Sequence, residues 1–157
     1  MKLILTFMLG LITVHGVGPA QTASKRRLVA NLKNNAIADG CGCYFQFRGT
    51  PQNSERYIFF STIEDDSKTA WMNIAGRDVK LKLERQVGPL GKESERVGSR
   101  STLRYRLGDV TVSGTYIVTG VCDPNDESCE STQYSATFTV RKGGRSEVVK
   151  AVGSCGC

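Results

Sequence analysis

Histidine is almost absent from this chain of 157 residues, and the single copy, His15, lies near the amino terminus. The rest of the chain therefore lacks the side chain that most often moves protons near neutral pH. This absence excludes Ser-His-Asp and Cys-His nucleophilic catalysis from everything after residue 15. It also excludes zinc, copper or iron sites that depend on histidine ligands.

Other signatures of catalysis are missing from the sequence as well. It contains no Cys-x-x-Cys redox pair, no glycine-rich phosphate loop, no nucleophile elbow and no cofactor fingerprint. Nearly all of its carboxylates fall in polar turns and loops, and none lies in the apolar surroundings that tune Asp or Glu for acid–base work. We therefore expect no enzyme activity, no cofactor and no bound metal.

The apolar stretch at the amino terminus predicts export. Lys2 is followed by an apolar run over residues 3–14 and then by small residues, which is the order of a secretory signal peptide. The run is shorter than the roughly 20 residues that a membrane-spanning helix needs. We predict a signal peptide over residues 1–20, cut after Ala20 or Ala23. An uncleaved anchor is the alternative.

The mature chain of about 135 residues is long enough for one domain with a sizeable core. It has no second long apolar run, which predicts no transmembrane segment, and no Asn-x-Ser/Thr acceptor. These features favour a protein of the bacterial periplasm or the extracellular medium. We predict a basic linker over residues 21–40 with one or two helical turns, followed by a single β domain over residues 41–157.

Six cysteines in an exported chain predict three disulfides. The segment CDPNDESC contains turn-forming residues between its two cysteines, so its ends are expected to meet across a hairpin loop. The other four cysteines form a Cys-Gly-Cys element at each end of the domain, and alternate residues of a strand share one face. Antiparallel pairing of the first and last strands would join these elements twice. The predicted pairs are Cys122 with Cys129, Cys41 with Cys157 and Cys43 with Cys155.

A site of four thiolates is the alternative for the two Cys-Gly-Cys elements, because soft thiolates suit Cu(I) and zinc. Zinc ligands are usually spaced more widely, as Cys-x(2–4)-Cys. An oxidising compartment also converts neighbouring thiols to disulfides. Disulfides are therefore favoured over a metal site or redox-active thiols.

After Gly40 the sequence takes on the period of two that is typical of strands. The stretch VKLKLER, for example, places Val79, Leu81 and Leu83 on one side. Turn signals such as Gly76 and Gly143-Gly144 separate these short runs. We predict strands near residues 43–48, 56–62, 69–74, 79–85, 102–107, 115–121, 131–141 and 147–155. The fold class is therefore all-β, a small antiparallel barrel or sandwich of about eight short strands linked by disulfides, and the joined ends favour the barrel.

Four cations lie on the predicted outward faces of two strands: Lys80, Lys82, Arg104 and Arg106. If these strands are neighbours, the four side chains form a basic surface patch that attracts an acidic polymer or an anionic surface. An ordinary solvated strand face is the alternative. Tyr105 alternates to the core side, so the patch lacks the stacking platform of a single-strand nucleic-acid binder. We expect the partner to be a protein or an acidic polymer of the cell envelope, and not a nucleic acid.

The segment between Cys122 and Cys129 groups oxygen-bearing side chains of the kind that bind calcium. Its spacing does not match the calcium loop of an EF-hand, and it has no central glycine. We interpret the segment as an acidic turn that protrudes from the β domain. A stapled loop of this kind is suited to contact a partner.

The residues AWMNIAGRDVKLKL resemble the strand–turn–strand of small periplasmic β-barrel lysozyme inhibitors. The resemblance covers about 14 residues, with Ala75-Gly76 where that pattern has Asp-Gly, and it transfers no residue's role. It implies a function as an inhibitor. Two functional hypotheses follow: a non-catalytic binding or structural module of the envelope or medium, and an inhibitor of a cell-wall hydrolase such as lysozyme.

Overall fold

Eight antiparallel strands form a closed barrel in the computed structural model, and a ninth, very short strand is added to the wall. The structure describes residues 26–51, 54–62, 69–88, 96–123, 125–126 and 128–157, and the predicted signal peptide lies outside them. A 3₁₀ turn spans Asn35–Ile37. The strands are β1 (Val29–Ala30), β2 (Gly42–Phe47), β3 (Tyr57–Thr62), β4 (Thr69–Ile74), β5 (Arg77–Val87), β6 (Arg100–Leu107), β7 (Val110–Gly120), β8 (Ser131–Lys142) and β9 (Arg145–Gly156).

Pairing between β2 and β9 closes the barrel, with Cys43 directly opposite Cys155. The strands β2 to β9 follow one another around the wall, and β1 pairs with the end of β4, where Val29 opposes Ile74. The predicted all-β, disulfide-linked fold is confirmed, and of the two forms left open the barrel is the one observed. Closure pairs the backbone groups that the edge strands of a sandwich would leave free.

Three bulges interrupt the pairing of the barrel strands. They lie at Ile58 in β3, opposite the step from Phe45 to Gln46, between Leu83 and Arg85 in β5, and at Thr119 in β7. A bulge bends its strand and increases the local twist, and both changes help a sheet to close on itself. Each bulge also adds one residue to its strand, and this residue interrupts the regular alternation of inward and outward side chains.

Aromatic side chains fill the interior of the barrel. The ring of Phe59 stacks on that of Phe138 with centroids 4.8 Å apart, and Phe45 packs edge-on against Tyr116 at 5.3 Å. All four residues are at most 1% exposed. Aromatic contacts at these distances stabilise a core beyond the burial of their area. The described interior is therefore a packed core and not the ligand cavity that some barrels enclose.

Three tyrosines, Tyr105, Tyr116 and Tyr134, belong to this interior, and burial raises the pKa of the first two. Burial raises the pKa of Tyr105 to about 12, although the hydroxyl of Ser61 acts in the opposite direction. Tyr116 is completely buried, and desolvation raises its pKa well above the ordinary value. Both phenols are therefore neutral across the physiological pH range.

Both Cys-Gly-Cys elements are joined to each other, in the pairing that their spacing predicts. Cys41 bonds to Cys157 and Cys43 to Cys155, with Cα atoms 4.3 and 4.0 Å apart. The inner bridge is buried, since Cys43 and Cys155 are 2% and 5% exposed. The outer bridge ends at the exposed Cys157 on the rim. We refer to these two bridges as the clamp.

Close packing requires the glycine at the centre of each Cys-Gly-Cys element. Gly42 and Gly156 lie opposite each other on β2 and β9. A Cβ atom on Gly42 would lie 2.3 Å from the ring of Phe60, and one on Gly156 would lie 2.2 Å from the carbonyl oxygen of Glu130. The missing side chains therefore let neighbouring groups close over the outer side of the clamp.

Residues 26–40, predicted as a linker, pack against the barrel. Leu28, Val29 and Leu32 are 3%, 0% and 6% exposed. The backbone N–H groups of Leu28 and Val29 donate to one carboxylate oxygen of Glu147 at 2.5 and 3.0 Å. A side chain from β9 therefore takes the place of a neighbouring strand beside β1.

The chain then runs along the outer side of β3. Leu32 donates its backbone N–H to the carbonyl of Tyr57 at 2.7 Å. Asp78 holds the following turn, because its carboxylate accepts from the backbone N–H groups of Lys33 and Asn34 at 2.9 and 3.0 Å. These bonds fix the path of a segment that contains little regular structure of its own.

This path covers an apolar side chain that points away from the barrel interior. Phe60 occupies an outward position of β3, next to the inward Phe59, yet it is only 1% exposed, while the bulge residue Ile58 packs with the core and is 0% exposed. The ring of Tyr44 lies 5.0 Å from that of Phe60, and its hydroxyl donates to the carbonyl of Gly40. Because β3 is buried on both faces, its run YIFF does not alternate.

Two of the predicted glycine turns are two-residue hairpins. Gly143 and Gly144, between β8 and β9, have φ of 52° and 73°. Between β4 and β5 the central residues are Ala75, at φ 54°, and Gly76, at φ 81°. Asn-Gly or Asp-Gly is favoured in such turns, and alanine carries a conformational cost in the left-handed region.

Candidate functional site

The four cations predicted to form a basic patch all lie on the outer side of β5 and β6, which are neighbours in the barrel. Lys82 is directly opposite Arg106, and Arg104 is the adjacent outward residue of β6. Lys80 extends over the ring of Trp71, with its Nζ 4.6 Å from the centroid. All four side chains are exposed, so the structure brings them together on one open surface.

A fifth cation joins this surface because of the bulge in β5. Uninterrupted alternation from Lys82 would turn Arg85 inward, but the extra residue Glu84 returns Arg85 to the outside, opposite Arg104. Alternation alone does not reveal Arg85. The available signal was two consecutive charged residues, since neither suits an inward position. We call the following set the basic face: Lys80, Lys82, Arg85, Arg104 and Arg106.

Glu84 neutralises the basic face in part. Its two oxygens lie 3.0 Å from Nε of Arg104 and 3.2 Å from Nη1 of Arg106. The paired side chains are between 39% and 55% exposed, and surface pairs of this kind contribute little to stability. Within the described ranges, Lys82 and Arg85 have no ion-pair partner. The face therefore keeps a marked excess of positive charge.

The register of the basic face places like charges side by side. Lys82 lies across from Arg106, and Arg85 lies across from Arg104. Like charges in opposed positions destabilise a strand pair. Positions that conflict with stability are expected at functional sites, and an anionic partner would relieve this repulsion.

The loop between β7 and β8 is the second candidate site. Cys122 bonds to Cys129 with Cα atoms 5.5 Å apart, which is the local pair that the sequence predicts. The loop lies at the same end of the barrel as the clamp, next to Ser131 at the start of β8. The described residues between the two cysteines are exposed, so the stapled loop presents a rigid surface to solvent.

The carboxylates of this loop are used within the loop itself. Asp123 accepts from the backbone N–H of Asn125 at 2.9 Å, and Asp126 accepts from the hydroxyl and the backbone N–H of Ser128 at 2.5 and 3.0 Å. The Ser128 groups stabilise the charged form and so lower the pKa of Asp126. Among the residues that the structure describes, which omit Glu127, no three Cys, His, Asp or Glu side chains gather as a metal site would need.

A shallow pocket of about 310 Å³ lies beside the stapled loop. Burial raises the pKa of the Tyr44 hydroxyl on its wall, and the neighbouring Tyr57 and Asp39 add to the effect. Small-molecule sites are usually enclosed and mostly apolar, which this pocket is not. Its lining consists of Tyr44, Ser128, Glu130, Ser131, Ser154, Gly156 and Cys157.

Comparison with protein-family models, curated proteins and solved structures finds no match to this chain. In the described part of the chain, no helix has the length and apolar character needed to cross a membrane. The basic face is the most distinctive feature of the described surface.

Proposed function

We propose that this protein is an exported, non-catalytic binding module that holds an acidic polymer of the cell envelope against its basic face. The observation that carries the proposal is the in-register placement of four cations, Lys82 opposite Arg106 and Arg85 opposite Arg104. The carboxylate of Glu84 is the one acid paired with them among the described residues. Export is supported by the signal-like amino terminus and by the three disulfides.

A polymer fits this surface better than a small anion does. The cations are distributed along two strands, where outward positions are separated by roughly 7 Å and neighbouring strands by about 4.8 Å. A single small anion would contact one or two of these side chains, whereas a chain of anionic groups can neutralise all of them. Because the interior is packed with aromatic rings, the ligand is bound on the outside of the barrel.

The test is a binding measurement between the oxidised mature protein and a soluble acidic polymer, dextran sulfate or carboxymethyl dextran, over a range of salt concentrations. The Lys82→Gln/Arg85→Gln variant removes two cations without ion pairs and is expected to weaken binding about tenfold and to flatten its salt dependence. The matched control is Arg48→Gln/Arg56→Gln, which removes the same charge from the exposed connection between β2 and β3. Equal losses in both variants would show that only net charge matters and would contradict the proposal.

Replacing Glu84 tests the proposal through an expected gain in affinity instead of a loss. The Glu84→Gln variant frees Arg104 and Arg106 from their shared carboxylate and is expected to raise the affinity for the same polymers severalfold. The gain should disappear at high salt, because exposed charges are screened there. An unchanged or weaker affinity would mean that these arginines do not contact the polymer.

The absence of catalysis is tested with a panel of peptidoglycan, glycan, ester and peptide substrates. We expect no turnover, because the mature sequence has no histidine to serve as the general acid or base. Turnover that is abolished by replacing one Asp or Glu, with the fold intact, would overturn this part of the proposal.

Inhibition of a cell-wall hydrolase such as lysozyme is the second candidate, favoured by the stapled loop. Its exposed Asp123 and Asp126 are held in fixed turns and suit a basic surface on a partner. The test is a cell-wall lysis assay with stoichiometric amounts of this protein. Replacing residues 123–128 with Gly and Ser should abolish inhibition, whereas Lys82→Gln/Arg85→Gln should retain it. No inhibition by the unmodified protein would exclude this candidate.

A further inference from the structure

Next to the basic face, the outward positions of residues 111–115 of β7 and 137–139 of β8 carry only hydroxyl side chains. Residues 111, 113 and 115 of β7 and 137 and 139 of β8 are all at least partly exposed, whereas the residues between them are buried. They are also in register, since Ser113 opposes Thr139 and Thr115 opposes Thr137. We call this set the hydroxyl floor: Thr111, Ser113, Thr115, Thr137 and Thr139.

Exposed cations lie on both sides of the hydroxyl floor. Thr111 has Arg106 of β6 beside it on one side and Arg141 of β8 on the other. Farther along the barrel, Lys150 of β9 lies beside Thr137. Two strand spacings separate the backbones of Arg106 and Arg141, about 10 Å. Nη1 of Arg106 lies 3.2 Å from the carboxylate of Glu84 on β5, so Arg106 has to leave this carboxylate before it and Arg141 can close over an anion that rests on the hydroxyl between them.

A tetrahedral oxyanion suits this arrangement better than a carboxylate. A sulfate or phosphate monoester has three terminal oxygens, so one can accept from a hydroxyl below while the other two accept from guanidinium groups on either side. A carboxylate has two oxygens in one plane and can satisfy only two of these directions at once. Charge alone would attract both kinds of anion. The hydroxyl floor therefore adds a preference for sulfate or phosphate groups over carboxylates.

We infer that the basic face and the hydroxyl floor form one binding track for a polymer bearing sulfate or phosphate monoester groups. One such group rests over Thr111 between Arg106 and Arg141. The track crosses the barrel from β5 to β9, which is roughly 20 Å at the usual strand spacing and spans several monomers of a polymer. This inference rests on the proposed function and adds the chemistry of the anionic groups.

The experiment compares dextran sulfate with carboxymethyl dextran of equal chain length and charge density, at one ionic strength, with the oxidised mature protein. Dextran sulfate is expected to bind about tenfold more tightly. In the Thr111→Val/Ser113→Ala variant this preference should fall to about twofold or less, while the affinity for carboxymethyl dextran changes by less than about twofold. The control, Thr119→Val/Ser135→Ala, makes the same two substitutions on β7 and β8 beyond the track and should retain the preference.

Arg141 provides an independent test of the far side of the track. Arg141→Gln should weaken dextran sulfate binding severalfold, and Lys142→Gln, the neighbouring residue at the turn, should have a much smaller effect. Equal effects of these two variants would contradict the site over Thr111.

The outcomes separate this inference from the proposed function. If both dextrans bind equally, or if Thr111→Val/Ser113→Ala keeps the preference, the selection of tetrahedral groups is wrong while polymer binding stands. If neither dextran binds, the proposed function fails as well. Tighter binding to phosphatidylglycerol vesicles than to either dextran would overturn the assignment to a polymer.

Discussion

Two sides of the same barrel wall have the same antiparallel pairing and very different outer surfaces. Around β3, the segment over residues 26–40 crosses the outside, and the outward Phe60 is 1% exposed. Around β7 nothing among the described residues crosses the wall, and its residues alternate between buried and accessible. The outer character of a strand is therefore set by what lies over it as well as by its own pattern.

The two sides differ in what their outer surfaces contribute to the stability of the fold. The covered side packs apolar side chains on both faces of β3, and burial of apolar area is the main favourable contribution to folding. The open side places like charges opposite each other on β5 and β6, at a cost in stability. The covered side thus has stabilising contacts that the open side lacks, and the open side is the one on which we propose that a partner binds.

The clamp joins the covered side to the open side, and breaking it is expected to have the largest effect. Its bridges span 116 and 112 residues. Replacing all four cysteines with alanine should lower the free energy of unfolding by about 5 kcal/mol, whereas Cys41→Ala/Cys157→Ala should cost about 2 kcal/mol because the inner bridge still closes the loop. Urea unfolding with Cys122–Cys129 intact measures both. Equal losses would mean that the inner bridge contributes no stability of its own, which would contradict this prediction.

The second prediction compares one outward residue from each side. Phe60→Ala on the covered side should lower the free energy of unfolding by about 3–4 kcal/mol, because it leaves a cavity under the crossing segment. Thr137→Ala on the open side should cost less than about 1 kcal/mol. Urea unfolding of the two variants gives the difference directly. Similar losses would contradict the distinction between a covered and an open side.

The barrel is expected to become less stable at alkaline pH, because a tyrosine in the interior ionises more readily when the chain is unfolded. Tyr105 has a pKa of about 12 in the folded protein and about 10 when unfolded, so the unfolded chain ionises first. The contribution of Tyr105 to the free energy of unfolding is complete below pH 10. It is lost between pH 10 and 12, at up to about 1.4 kcal/mol per pH unit. Unfolding measured from pH 8 to 11 should show this slope, and Tyr105→Phe should reduce it. An unchanged slope in that variant would contradict the assignment.

The smallest expected effect concerns the turn that supports β1 on the covered side. Ala75 donates its backbone N–H to the carbonyl of Leu28 at 2.7 Å while holding φ at 54°. Ala75→Asn should raise the free energy of unfolding by up to about 1 kcal/mol, because Asn tolerates the left-handed region. Ala30→Asn, in extended backbone, is the control and should give no gain. A loss in Ala75→Asn would show that the turn is not strained by its alanine.

Much of the barrel could be predicted from local patterns. Seven of the eight barrel strands lie within two residues of their predicted bounds, because each presents at least one face to the core, whereas β7 begins at Val110, five residues before its predicted start. The cysteine pairs follow from their positions in those strands and in the turn. Arg85 could not be predicted from alternation, because a bulge depends on how two strands pair and leaves no clear mark on one of them. Arg141 was not grouped with the basic patch, since only the order of strands brings it beside β7.

The path of residues 26–40 could not be predicted either. Its anchors, Asp78 and Glu147, lie 44 or more residues away along the chain, and both act on backbone N–H groups that no side-chain pattern reveals. The apolar Leu28 and Leu32 fit a short helix as well as they fit the β1 region. Only the assembled barrel offers the apolar surface of β3 that this segment covers.

The sequence by itself determined that the chain forms an all-β domain, where its strands lie and which cysteines join, because period-two alternation and turn residues act over short distances. Tertiary structure alone decided that the sheet closes as a barrel, which side of it is covered and which cations share a surface. These outcomes depend on contacts between residues that are far apart along the chain, such as Asp78 with Lys33 and Lys82 with Arg106, and no local pattern in the sequence indicates that such residues meet.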